Sequence, residues 1–158
     1  MNVEANRRAF LDAIAHSEIG APLLAVSDNG YNVIVGSTAS RPILFHSYAD
    51  HPRQKVVLSP TLASTAAGRY QILERYWDWY RKQLNLKDFG HASQDAIALQ
   101  LIRECSAMPL IDGGRFADAA RACRSRWASL PGSGYGQHEN NMADLQAAYI
   151  AAGGVVTA

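Results

Sequence analysis

Ala15-His16-Ser17-Glu18-Ile19-Gly20 closes a run of helical periodicity and opens a stretch that has none, and the fold class turns on that change. Upstream, Phe10, Leu11, Ile14 and Ala15 recur at helical spacing. The spacing predicts a first helix from about Val3 to Ser17, with Gly20 followed by Pro22 as the stop signal. Glu18 falls on the same face as the apolar residues, at the very end of the helix. Two effects raise the pKa of a carboxylate there: desolvation by the apolar face, and the partial negative charge of a helix C-terminus. A Glu held protonated near neutral pH donates a proton. The pattern is equally compatible with a helix that frays at Ile19-Gly20 and turns Glu18 into water.

Downstream the character changes. Asp28-Asn29-Gly30 is a turn signal, and Tyr31-Asn32-Val33-Ile34-Val35-Gly36 and Ile43-Leu44-Phe45 read as short strands. Pro22, Pro42, Pro52 and Pro60 punctuate this region and argue against helix. Helical periodicity returns from Ala66 to about Leu84, where Ile72, Leu73, Tyr76, Trp77, Tyr80 and Leu84 share a face. A further helix is expected from Ser93, as N-cap, to before Pro109, and another from about Gly114 to Trp127. In the latter Phe116, Ala119, Ala120, Cys123 and Trp127 form the apolar face and Arg121, Arg124 and Arg126 are solvated. Leu130-Pro131-Gly132-Ser133-Gly134-Tyr135-Gly136-Gln137 cannot be helix interior and reads as a ligand lip carrying Tyr135 and Gln137. The last helix spans about Glu139 to Ala152, with Met142, Leu145, Ala148 and Tyr149 facing in. These elements make an α+β fold, mainly helical with a small β region, and residues 1–158 are expected to form a single domain.

Composition narrows the chemistry. The chain has 158 residues, 48% of them apolar, and a formal charge of +1, so no global basic field recruits nucleic acid or an anionic membrane. No run approaches the roughly 18 apolar residues of a spanning helix, and Met1 to Arg8 is polar with no apolar segment after it, so a cytoplasmic product is expected. Cys105 and Cys123 lack metal-ligand or redox-motif spacing and read as buried free thiols. His46, His51 and His91 match no metal signature, so neither a metal nor another cofactor is expected. Gly132-Ser133-Gly134 is the nearest approach to a nucleophile elbow, but no strand precedes it. Glycosidic cleavage fits better, because it needs one protonated carboxyl in a partly apolar site and, for a hydrolase, a second ionised carboxylate. Glu18 offers the first; Asp28 or Asp50 is available for the second, although each also reads as an ordinary turn Asp.

Several segments carry a resemblance that covers nearly the whole chain in order. They are Ser17-Glu18, Tyr31 to Gly36, Asp50-His51-Pro52-Arg53, Gly68-Arg69-Tyr70-Gln71, Tyr80 to Leu84, Leu86-Lys87-Asp88-Phe89, Ser93-Gln94-Asp95-Ala96, and Trp127 through Gln137. Together they resemble the bacteriophage lambda endolysin family of lysozyme-like lytic transglycosylases. The resemblance implies a lysozyme-like fold, peptidoglycan glycan strands as substrate, and a single catalytic Glu that maps onto Glu18. It also implies a monomer with no stable membrane association, held in the host bacterial cytoplasm until the membrane is permeabilised. Asp50 and His51, Tyr70 and Gln71, and Tyr135 and Gln137 map onto the substrate groove. A true muramidase using Glu18 with Asp28 or Asp50, and a non-catalytic glycan-binding module, are the alternatives. The chain departs from the family pattern in two places: Ile19-Gly20 follow the Glu where the family has Gly-Thr, and the segment between Gly36 and Asp50 is longer.

Overall fold

The computed structural model describes residues 2–134 and 139–157. In chain order the elements are α1 (Val3–Glu18), α2 (Ala21–Ala25), β1 (Val56–Ser59), β2 (Leu62–Ser64), α3 (Glu74–Gln83), α4 (His91–Glu104), α5 (Met108–Asp112), α6 (Phe116–Cys123) and α7 (Met142–Ala151). Among the described residues the elements are helices and one short antiparallel hairpin, which is the expected α+β class. None of the described helices is long and apolar enough to cross a membrane. The chain divides into two compact units, Met1–Glu18 with Ala98–Ala158, and Ile19–Ile97, the division falling inside α4.

In the first unit α1 packs on α5 and α7, and α6 on α5 and α7. Phe10, Phe116 and Tyr149 form its aromatic centre, with ring centroids 5.8 Å apart for Phe10 and Phe116 and 4.7 Å for Phe116 and Tyr149. Burial of each such side chain contributes roughly 1.5–3 kcal/mol relative to exposure. The predicted inward residues of α6 and the following turn, Phe116, Ala119, Ala120, Cys123 and Trp127, are all buried, as are Leu145 and Tyr149 of α7. One polar residue is fully enclosed. Asn6 donates to the Ile111 carbonyl at 3.0 Å and accepts the Val155 N–H at 2.9 Å, so α1 anchors both α5 and the C-terminal tail.

The second unit is less regular than the sequence pattern predicts. The stretches 31–36 and 43–45 meet only through isolated bridges, Val33 with Leu44 and Ile34 with Ala67. The regular hairpin lies at β1 and β2, around Pro60, with Val56 opposite Ser64 and Val57 opposite Ala63. Its side chains are largely exposed, so the buried-face alternation that marks a strand in sequence is absent. The segment after Gly36 closes on itself. Ser37 Oγ accepts the Ile43 N–H at 2.9 Å, and Thr38 and Arg41 exchange backbone hydrogen bonds.

Helix boundaries also differ from expectation, each for a local reason. Residues 66–73 are not helical, because Gly68 (φ 83) and Gln71 (φ 51) adopt left-handed backbone and Ala67 and Ile72 bond reciprocally. Helix α3 therefore begins only at Glu74. Pro22 and Pro109 occupy the first turns of α2 and α5, where a missing N–H costs nothing. Ser93 is no N-cap: α4 starts at His91, and Ser93 donates at 3.2 Å to Asp88, which also accepts the Gly90 N–H. Arg121 and Arg126 pair with Asp118 and Glu104 at the surface.

Candidate functional site

Helix α1 extends through Glu18, so the acid ends the helix instead of fraying from it. Its neighbours Ile14 and Ala15 are buried and Ser17 nearly so. Desolvation raises the Glu18 pKa, and hydrogen bonds from the hydroxyl and backbone of Ser129 oppose that rise without cancelling it. Ser129 Oγ donates to Glu18 Oε1 at 2.6 Å and lies 2.8 Å from Ser17 Oγ. Asn140 completes the group: its Nδ2 lies 3.0 Å from Ser17 Oγ, and its N–H donates to the Ser129 carbonyl at 2.8 Å. A carboxyl whose pKa is raised by burial and which is held by a hydroxyl donor is suited to proton transfer.

Sequence reasoning found Glu18 and missed its supports. Ser17, Ser129 and Asn140 are small polar residues without periodic signature; Ser129 reaches Glu18, and Asn140 reaches the two serines, only through the fold. The one local signal is a buried Ser directly before a core-facing Glu.

The second unit holds four of the other expected site residues, Asp50, His51, Tyr70 and Gln71. His51 is buried. Its Nδ1 accepts the Arg53 N–H at 3.0 Å, so the ring hydrogen sits on Nε2 and is donated to the Ile72 carbonyl at 2.9 Å. Burial lowers its pKa. His51 thus braces the backbone and has no ring nitrogen left for a sugar. Tyr70 is likewise buried, its hydroxyl donating to Asp95 at 2.6 Å alongside Tyr31 at 2.8 Å. Both residues, expected on the substrate groove, make internal hydrogen bonds. Gln71 is half-buried on its left-handed turn and donates to the Gly68 carbonyl at 2.9 Å, which leaves its amide oxygen as an acceptor. Tyr135 and Gln137 lie outside the described residues.

Asp50 and Asp28 are more than turn residues. Asp50 accepts from Trp77 Nε1 at 2.6 Å and Arg53 Nε at 2.9 Å. Desolvation opposes its charge, but the hydrogen bonds from Arg53 and Trp77 prevail and hold its pKa at about 2. Arg53 also reaches Glu74 at 3.0 Å and Asp78 at 2.6 Å, tying the Asp50 turn to α3. Asp28 accepts from the Tyr48 hydroxyl at 2.5 Å and from His91 at 2.7 Å, and the Tyr48 bond chiefly lowers its pKa. Among the described residues no group of three or more His, Cys, Asp or Glu is arranged to hold a metal ion.

A family model described as Endolysin matches residues 8–156. The chain belongs to the endolysin family. It is 50% identical over 157 residues to the endolysin of Escherichia phage lambda, covering 99% of this chain and 96% of that one. It is 45% identical over 160 residues to the endolysin of Escherichia phage P2, covering 98% and 97%. A solved structure of bacteriophage lambda lysozyme complexed with a chitohexasaccharide superimposes with a TM-score of 0.90 at 51% identity, covering 97% of each chain. The lysozyme-like fold is thereby established. This endolysin-family chain carries an acid at the end of α1, Ile19 after it and a self-closed loop after Gly36.

Proposed function

We propose that this chain is a phage or prophage endolysin that cleaves the β-1,4 bond between N-acetylmuramic acid and N-acetylglucosamine as a lytic transglycosylase. The carrying observation is Glu18: one carboxyl with a raised pKa, hydrogen-bonded by Ser129 at the end of a buried helix face. Protonated Glu18 gives its proton to the glycosidic oxygen as the muramic C1–O bond breaks and positive charge develops at C1. The resulting carboxylate takes the proton of the C6 hydroxyl while O6 bonds to C1, closing a 1,6-anhydro ring. No water is consumed, and intramolecular attack supplies the effective concentration that a bound water would need.

The state of the other acids supports one carboxyl serving both steps. Asp50 is held ionised by Arg53 and Trp77, and Asp28 is tied to Tyr48 and His91, so each is engaged by protein donors. A muramidase would need one of them to activate water. The likeness to a lysozyme solved with a chitohexasaccharide supports a glycan ligand. In this reading Gln71 offers its amide oxygen to a sugar N-acetyl or hydroxyl group, and Asp50 and Arg53 hold the adjacent loop in shape. The protein acts as a monomer without stable membrane association, waiting in the host cytoplasm until the membrane is permeabilised.

The test is turbidity clearing of purified cell walls. Glu18→Gln is expected to lose clearing while keeping its fold and glycan binding. Clearing at the wild-type rate by Glu18→Gln would overturn the assignment.

A further inference from the structure

We propose that Asn140, Ser17 and Ser129 form a one-way hydrogen-bond relay that positions Glu18 and divides the labour between its oxygens, Oε1 accepting from Ser129 and Oε2 carrying the catalytic proton. The proposal rests on Glu18 being the acid of the reaction above.

The direction of the relay follows from which atoms can donate. Asn140 Nδ2 lies 3.1 Å from the Ser17 carbonyl and 3.3 Å from the Ser129 carbonyl. Two carbonyl oxygens can face only the amide nitrogen, so the side chain's orientation is fixed by its surroundings. The same nitrogen, a pure donor, lies 3.0 Å from Ser17 Oγ, which must therefore accept. Each serine hydroxyl has one hydrogen. Ser129 gives its one hydrogen to Glu18 Oε1 at 2.6 Å, so across the 2.8 Å serine contact Ser17 Oγ donates and Ser129 Oγ accepts. A proton on Oε1 would have to reverse both serine bonds, making Ser17 Oγ accept from Ser129 as well as from Asn140 and leaving the Ser17 hydrogen without this partner. With Ser129 donating to Oε1, the proton of the neutral acid is assigned to Oε2.

The arrangement does two things for a group that must donate and then accept. It fixes the donating oxygen, so the proton is presented in one geometry instead of being shared between two. It also stabilises the carboxylate left after donation, because a short hydroxyl bond to an ionised acceptor is stronger than one to a neutral acceptor. Ser129 acts twice, through its hydroxyl and through its backbone, and both favour the ionised form against the desolvation that opposes it. Ser17 and Asn140 act only through Ser129. All three are positioning residues and touch no substrate in this role.

The experiment compares wild type, Ser129→Ala, Ser129→Thr, Ser17→Ala and Glu18→Gln on soluble peptidoglycan strands, with kcat and KM followed against pH. A parallel titration of the Glu side-chain carboxyls by 13C NMR needs no turnover. Ser129→Ala is expected to lose roughly tenfold to a hundredfold in kcat, the range for a hydrogen bond to a charged group, with KM nearly unchanged. The Glu18 midpoint and the basic limb of the profile move to higher pH. Ser129→Thr restores both, and Ser17→Ala shifts them in the same direction by less. The relay is overturned if folded Ser129→Ala keeps the wild-type kcat and Glu18 midpoint, or if Ser129→Ala loses activity with the midpoint unmoved. If Ser129→Ala does not fold, an unmoved Glu18 midpoint in Ser17→Ala overturns it. An active Glu18→Gln instead defeats the parent reading, so the two failures are distinguishable.

Discussion

Gly68 is the position where the turn bearing Gln71 is most sharply constrained, and Gly68→Ala tests that constraint. Its φ of 83° lies in the left-handed region, which costs an L-residue about 1–2 kcal/mol. An added Cβ would also overlap the amide of Gln94, lying 2.8 Å from its Cδ. Gln94 is fully buried and has nowhere to retreat. It accepts the Arg69 N–H at 2.9 Å and donates to the carbonyls of Tyr31 at 3.0 Å and Phe89 at 2.8 Å. Displacing it endangers three bonds of about 1 kcal/mol net each. With the backbone strain, the expected loss is roughly 4 kcal/mol, or about 8–16 °C in Tm for a chain of this size. Gly153 is the control, because it has φ 94 and nothing within 4 Å of an added Cβ. Gly153→Ala should therefore lose only the strain, about 1–2 kcal/mol. Urea unfolding of both variants measures the gap, with unchanged m values as the check on two-state behaviour. Equal destabilisation of the two variants would refute the role given to Gln94.

Other outcomes follow from the same contacts. A raised Glu18 pKa contributes stability that is fully present below the unfolded value near 4.3 and is lost as pH rises through the folded value, so Glu18→Gln should stabilise the protein at pH 8 by about 1 kcal/mol and hardly at pH 4. Thermal unfolding at the two pH values checks this, and a less stable Glu18→Gln at pH 8 would contradict it. Arg53→Ala strands Asp50, Glu74 and Asp78 without their shared cation and should cost about 2 kcal/mol at pH 7. Because Asp50 is held at about 2, the difference from wild type should shrink as pH falls from about 4 toward that value. Arg53→Gly should be the milder change, since Arg53 has φ 53. Cys105 has its pKa drawn down to about 7, first by the hydrogen bond from Cys123 and then by Arg126, while Cys123 is pushed up. Iodoacetamide at pH 7.5 should label Cys105 well before Cys123, as read by peptide mass.

The helical skeleton was legible because its faces are periodic. Phe10, Ile14, Phe116, Cys123, Leu145 and Tyr149 are buried where spacing places them. The irregular half was not, since bridges such as Val33 with Leu44 and left-handed residues such as Gln71 are set by contacts between distant segments. Apolar spacing from Ala66 onward imitates helix although Gly68 and Gln71 forbid it. Glu18 was visible as an acid out of place in an apolar row. Its serine and asparagine supports were invisible, because they lie far along the chain and carry no spacing of their own. The internal bonds of His51 and Tyr70 were equally invisible: His51 holds the Ile72 backbone and Tyr70 bonds Asp95, partners set by the fold and not by local spacing.

One carboxyl acting as acid and then as base without water leaves its mark on the product. The direct measurement is mass analysis of the soluble fragments released from purified peptidoglycan by the wild-type protein. Fragments ending in 1,6-anhydro-N-acetylmuramic acid, lighter by one water than hydrolytic products, are predicted; reducing-end muramic acid as the main product would contradict the account.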